Sequence, residues 1–134
     1  GLIELELKQG TTLLIEGPAD WKITGENSAT LTQGKLVAKV PPQAIGFTLE
    51  TPAAKIVDLG TEFGLEVGSR GTSEVHVFVG RVAVRASGAT TTLVANEGQR
   101  FEAGGRQSIA FDRKKFISLQ SRRSPSEKNT SCLT

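Results

Sequence analysis

The sequence predicts an all-β domain, a twisted antiparallel β-sandwich or roll with a β-solenoid-like roll as its architectural variant, ending in a short helix or coil. Three observations point there. Apolar and polar residues alternate with a period of two in run after run. Glycines from Gly10 to Gly98 punctuate those runs at roughly the 8 to 12 residue spacing of small β folds, and no helical period appears before Asp112. The chain has 134 residues, enough to bury roughly two thirds of its unfolded surface around one core without disulfides.

Taken in order, Ile3, Leu5 and Leu7 share one face against Glu4, Glu6 and Lys8, the pattern of a half-buried strand. The period returns in Ala19, Trp21 and Ile23 and again in Leu36, Ala38 and Val40. Trp21 shares its face with aliphatic neighbours, so it reads as a core anchor rather than a ligand platform. Pro41 and Pro42 lack the N–H that a ladder needs and end the strand at Val40, as Pro52 ends the strand from Phe47 to Thr51. Val75, Val77 and Val79 lead into Val82 and Val84 through Val79-Gly80-Arg81, which reads as a tight hairpin. Gln33-Gly34 and Asn96-Glu97-Gly98 read as turns for the same reason, because glycine supplies positive φ without a steric cost. Antiparallel neighbours should follow.

The densest stretch is "DLGTEFGLEV", residues 58 to 67. As one strand it would turn Leu59, Thr61, Phe63, Leu65 and Val67 inward and Asp58, Gly60, Glu62, Gly64 and Glu66 outward. The outward acids would then lie about 7 and about 14 Å apart, the nearer spacing overlapping that of inverting glycosidases. A glycosidase also needs one desolvated acid and an aromatic floor, and the chain has one Trp and no Tyr. Solvated acids guarding a strand face are the better reading. Gly60 and Gly64 are unfavourable inside a strand, so a bulge, a bend or a close backbone neighbour must require them.

Composition removes other chemistries. Through Asp112 there are 10 Lys and Arg against 13 Asp and Glu, and from Arg113 onward 6 against 1. The net charge of +2 is therefore a property of the end of the chain, and the body lacks the clustered cations that nucleic acid requires. Cys132 is the only cysteine and His76 the only histidine, which leaves no convergent ligand set for a metal and no cofactor. No nucleophile elbow or phosphate-binding glycine loop occurs, so no catalytic residue is assigned. His76 and Phe78 point away from Val75, Val77 and Val79, so that face is either covered by a second sheet or exposed as a candidate partner-binding face.

Residues 1–112 thus form the folded unit, and 113–134 a basic, polar linker or tail. A short helix over Lys114 to Gln120 would place Phe116, Ile117 and Leu119 together, and Asn129-Thr130-Ser131 matches a glycosylation acceptor of the kind common by chance. The chain opens at Gly1 without an initiator Met, as a piece of a longer protein would.

The stretches "IEGPADWKI", "LTQGKLVAKVP", "PPQAIGFTLETPAAKIVDLGTEFGLEV", "SEVHVFVGRVAVRA" and "LVANEGQRF" together resemble the periplasmic domain of the FecR family, the ferric citrate regulators. The resemblance rests on Thr51 and Pro52, on Asp58, Gly60, Thr61, Phe63, Gly64 and Val67, on Val75, Val77, Gly80, Val82 and Val84, and on Gly98. "VDLGTEFG" looks like the variant of planctomycete-type envelope proteins. The resemblance implies a non-enzymatic sensory domain, in the periplasm or cell envelope, of a single-pass inner-membrane anti-sigma regulator involved in iron-transport control. It implies protein partners: an outer-membrane receptor's signalling domain, and a sigma factor held by a segment preceding this one. Membrane contact would come only through a helix outside this sequence. A carbohydrate-binding or adhesive envelope module is the alternative, disfavoured by an aromatic content of 5%.

Overall fold

In a computed structural model, residues 1–117 are described, and they form nine strands in one mixed, mostly antiparallel sheet that stays open at its ends. The strands are β1 (Leu2–Glu6), β2 (Thr12–Gly25), β3 (Ser28–Lys39), β4 (Thr48–Glu50), β5 (Lys55–Val67), β6 (Ser73–Ala86), β7 (Ala89–Val94), β8 (Gly98–Glu102) and β9 (Gly105–Ile109). Four of these are long, β2, β3, β5 and β6, and the last three change one neighbour partway. β3 pairs with β4 through Ser28–Thr30 and with β5 through Gly34–Lys39. β6 pairs with β8 through Ser73–His76 and with β7 through Arg81–Ala86. The long strands therefore belong to two half-sheets at once. In one, β1 and the first half of β2 lead through β3, β5 and β6 to β8 and β9; in the other, β4 and β7 join the opposite ends of β3, β5 and β6.

The two half-sheets turn their inner faces together over one core. It holds Leu13, Ile15, Leu31, Leu36, Ile56, Leu65, Val82 and Val84 among the aliphatics and Phe47, Phe63 and Phe101 as its largest rings. Trp21 is half-buried against this cluster, as an anchor should be. The all-β expectation holds, with one departure from antiparallel pairing: β3 and β4 run parallel. The proline-containing connection after Lys39 carries the chain back to lie alongside the start of β3.

Bends, not hairpins, explain two of the glycines. Gly34 and Gly80 were expected in tight turns, yet each lies inside a continuous strand at positive φ. A bulge and a turn both use positive φ, so a glycine flanked by alternating residues does not tell them apart. Gly80 faces the bulge that interrupts the β5–β6 register between Asp58 and Thr61. A Cβ on Gly80 would overlap the carbonyl oxygen of Gly60. Gly60 itself has φ +102°.

That bulge also shifts the phase of β5. Beyond it Thr61, Phe63, Leu65 and Val67 face inward as expected, but before it the faces are exchanged. Asp58 is fully buried and Leu59 is 38% exposed. The expectation of Asp58 on a solvent face is therefore wrong by one residue of register, the amount a bulge inserts.

After β9 the chain crosses back over the sheet instead of leaving it. Residues 113–117, assigned by composition to a tail, lie against the strands, with Phe116 buried. The helix expected over Lys114 to Gln120 is, within the described residues, a single 3-10 turn at Arg113–Lys115, whose first N–H groups are met by Asp112 Oδ1 accepting from Lys114 at 3.0 Å. Leu119, Gln120, the Asn129 triplet and Cys132 lie outside the described residues.

Gly80 and Gly88 share φ +79°, but nothing lies within 4 Å of a Cβ at Gly88. Gly88→Ala is expected to cost about 1 kcal/mol from backbone strain alone, and Gly80→Ala about 2 to 4 kcal/mol because overlap adds to strain. Urea titration of the two variants checks this, and equal midpoints would mean that the Gly60 contact is not what fixes Gly80.

Candidate functional site

Strand register lines up one row of residues across the outer face of the first half-sheet: Glu4, Leu14, Val37, Gly64, His76, Gly98 and Ile109. Two of these are glycines, so the row is a trough. Phe116 fills it at Gly64, where a Cβ would come within 2.8 Å of the ring. His76 leans over Gly98, whose Cβ would stand 3.2 Å from Nδ1. Leu14, Val37, Phe78 and Phe116 make a second apolar cluster here, separate from the main core, with Phe111 and Ile117 packed against it.

The covering segment, a strap over residues 111–117, is held by rings and charges. Phe111 and Phe116 meet Phe78 edge-on with centroids 6.0 and 5.7 Å away, and the Arg113 guanidinium sits 4.4 Å from the centre of the Phe78 ring while reaching Glu62 at 3.5 Å. One register step away runs a row of charges, Lys35, Glu66, Glu74 and Arg100. Lys115 bonds Glu74 at 2.7 Å and Glu66 at 3.3 Å, Arg100 grips Glu74 from the other side at 2.7 Å, and Lys35 donates to the Lys115 carbonyl at 2.9 Å. Burial pushes the Glu74 carboxyl up, but hydrogen bonds from Lys115 and Arg100 outweigh it and hold the pKa down to about 2.

His76 and Phe78, whose face the sequence left either covered or open to a partner, lie beneath the strap. His76 is fully buried. Its Nδ1 accepts the Asp112 N–H at 3.1 Å, which leaves the ring proton on Nε2, 3.5 Å from Glu74 Oε1. Burial holds its pKa below the usual 6.5; Glu74 and Asp112 pull upward and Lys115 downward. Phe111, Glu74, Arg100 and Lys115 were not singled out by the sequence. The available signal was an aromatic pair, Phe111 and Phe116, standing in an otherwise polar stretch.

The remaining motif residues sit at joints of the scaffold. Thr51 Oγ1 accepts from the N–H groups of Ala53 and Ala54 and from the Ser73 hydroxyl at 2.7 Å, tying the β4–β5 connection to the start of β6. Pro52 packs against Gly71. Phe63, Val67, Val75, Val77, Val82 and Val84 are buried in the main core. Asp58 Oδ2 accepts from Gly60 N–H at 2.9 Å, while Asp58 Oδ1 and Thr61 Oγ1 have no hydrogen-bond partner. Burial raises the Asp58 pKa to about 6, against the lowering pull of the Gly60 N–H. Glu62 and Glu66 do lie on the outer face, paired with Arg113 and Lys115 rather than with each other. Among the described residues no three His, Cys, Asp or Glu converge on a metal position, and no helix is long and apolar enough to cross a membrane.

Beside the strap lies an open cleft of about 730 Å³ whose floor is mostly apolar, running from Thr12 and Lys39 past Glu62 to Gly60 and Thr61. Ile45 and Val79, both more than half exposed, stand at its rim.

The class defined here is an open, two-half-sheet β domain with a strapped outer face. Residues 3–83 match the model of the family described as FecR protein, and the chain belongs to the FecR family. Two crystal structures of a candidate anti-sigma factor from Parabacteroides distasonis ATCC 8503 share the fold. The one at 1.65 Å has a TM-score of 0.74 at 17% identity, and the one at 2.50 Å has 0.69 at 18%. Each match covers 86% of this chain and 58% of theirs, so this chain spans little more than half the length of those proteins. No curated protein matches the sequence.

Asp58 and His76 bias stability in opposite directions with pH. The raised Asp58 pKa contributes stability that is fully present below 3.8 and is lost as pH rises through about 6. The lowered His76 pKa contributes stability that is present above 6.5 and is lost as pH falls below it. The charged groups acting on His76 are Glu74 on its own strand and Asp112 and Lys115 on the strap, with Arg100 and Glu66 bonded to Glu74 and Lys115 in turn. Asp58→Asn is expected to stabilise the domain at pH 8 by up to about 3 kcal/mol, to give no gain at pH 4, and to steepen the loss on acidification that His76 causes. Thermal melts across pH test this, and the same gain at both ends of the range would rule out titration of Asp58 as the cause.

Proposed function

We propose that this chain is the periplasmic sensory and interaction domain of a FecR-like, membrane-anchored anti-sigma regulator. The observation that carries the reading is the match of residues 3–83 to the FecR family model, and the likeness in fold to a candidate anti-sigma factor agrees with it. In this reading the domain does no chemistry of its own. It receives a signal from an envelope protein and passes it to a sigma factor held by another part of the regulator.

The geometry favours binding over turnover. Glu74 stays ionised between two cations and His76 stays neutral beneath the strap, so neither is poised to exchange protons with a substrate near neutral pH. Asp58, whose pKa does lie near neutral, is sealed in the core. The open cleft has no aromatic side chain in its lining, which leaves no stacking platform for a sugar. The outer strands β1 and β9, which end the order of the sheet among the described residues, and the strapped outer face are the surfaces a protein partner would use.

In the source organism, in-frame deletion of the segment encoding residues 3–117 is expected to uncouple sigma-dependent transcription from its envelope signal. A reporter enzyme active only in the periplasm, fused after Thr134 in the full-length protein, is expected to be active. An unchanged signal response, or an inactive reporter in a fusion that is made at full length, would overturn the reading.

A further inference from the structure

The strap joins the fold differently from every strand beneath it. No backbone pairing ties residues 111–117 into the sheet ladder. Its anchors are two phenylalanine rings, ion pairs from Arg113 and Lys115, the Lys35 bond to its carbonyl, and one N–H given to His76. The cluster it completes is separate from the main core. Its removal would therefore leave the core and every strand pairing in place, which is the condition for a local opening far less costly than unfolding.

The surface beneath it has the properties of a recognition site. The gap at Gly64 accepts one ring, Phe78 meets the other edge-on with His76 tilted beside it, and Glu62, Glu66 and Glu74 receive cations between the two. The strap supplies the matching chemistry in "FDRKKF", residues 111 to 116. The part of the trough formed by Glu4, Leu14, Val37, Gly64, His76 and Phe78 lies in the family-matched residues 3–83, whereas Gly98, Ile109 and the strap lie outside them.

We propose that this trough is a peptide-docking site which the chain fills with its own strap. Its external occupant is an extended segment of a protein partner bearing two aromatic residues on either side of a short basic run. Such a segment displaces the strap by reproducing its contacts. The inference goes beyond the regulator reading and stands on the sheet's own contacts, whatever the domain signals to.

The test uses the full 134-residue chain and a fluorescently labelled peptide with the sequence of residues 110–117. Phe116→Ala opens the trough, and this variant is expected to bind the peptide in an anisotropy titration. The wild type is expected to bind at least about tenfold more weakly, because its strap competes at a high effective concentration. Adding Gly64→Ala to Phe116→Ala puts a methyl group where the peptide's second ring must sit, and it is expected to abolish binding while β-sheet circular dichroism is retained. A peptide with both phenylalanines replaced by alanine is expected not to bind. Lys115→Ala, which weakens the strap without opening a cavity, is expected to bind more tightly than wild type. Failure of a folded Phe116→Ala chain to bind, or binding that survives Gly64→Ala, would overturn the proposal. If Phe116→Ala and Lys115→Ala both unfold the domain, the strap is inseparable from the fold and the proposal falls as well. None of these outcomes depends on a sigma factor or receptor, so they are separable from failure of the regulator reading.

Discussion

At Gly80 the backbones of β5 and β6 come so close that a side chain there would overlap the carbonyl oxygen of Gly60. Because β5 and β6 are pressed together at that point, both bend there, and their two ends continue in different half-sheets. A flat sheet of this length would leave one apolar face in water. The bend brings the inner faces together and lets a single sheet enclose Phe47, Phe63 and Phe101 without a second layer. Gly34, pressed against Ala19 and Pro18, serves the same end on β2 and β3. Loss of either contact would remove more than a local fit, since every core residue depends on both half-sheets being in place.

The outer face follows a different physical logic. Its trough exists because two positions in one cross-strand row lack side chains, and its chemistry exists because the neighbouring row carries charges. Glu74 is the junction of that second row, held between Lys115 and Arg100 and facing His76. A carboxylate with that much cationic company stays charged even when partly desolvated, and removing either cation leaves it with an unbalanced burial penalty. The strap thus carries one of the groups that the sheet face needs, which links the electrostatics of the face to the position of the strap.

Much of this was legible in the sequence, and the misses have identifiable causes. The period of two marked the strands, and the resemblance carried by residues such as Thr51, Pro52 and Gly60 pointed to the family that residues 3–83 match. Gly60 announced a bulge, a bend or a close backbone neighbour, and the register shift beside it is a bulge. The bulge's effect on the residue before it was not legible, because alternation reads the same on both sides until one residue is inserted. Gly80 was mistaken for a turn because its local pattern matches a hairpin, and only its partner across the sheet distinguishes the two. His76 and Phe78 were set apart from the core valines, but whether their face was covered or open was not legible. What covers them is more than thirty residues further along the chain, and composition had already assigned most of that segment to a tail.

The row from Glu4 to Ile109 has one more consequence. Hydrogen bonds in a sheet join each strand only to its neighbours, whereas the strap runs across them, from the end of β9 past His76 and Gly64 to a gap that Ile117 shares with Leu2 on β1. It works as a tie-bar between the first strand and the last. A ligand that lifts it would leave the shape of the sheet almost unchanged and make it more compliant, so that occupancy would be felt at distant edges as a loss of stiffness.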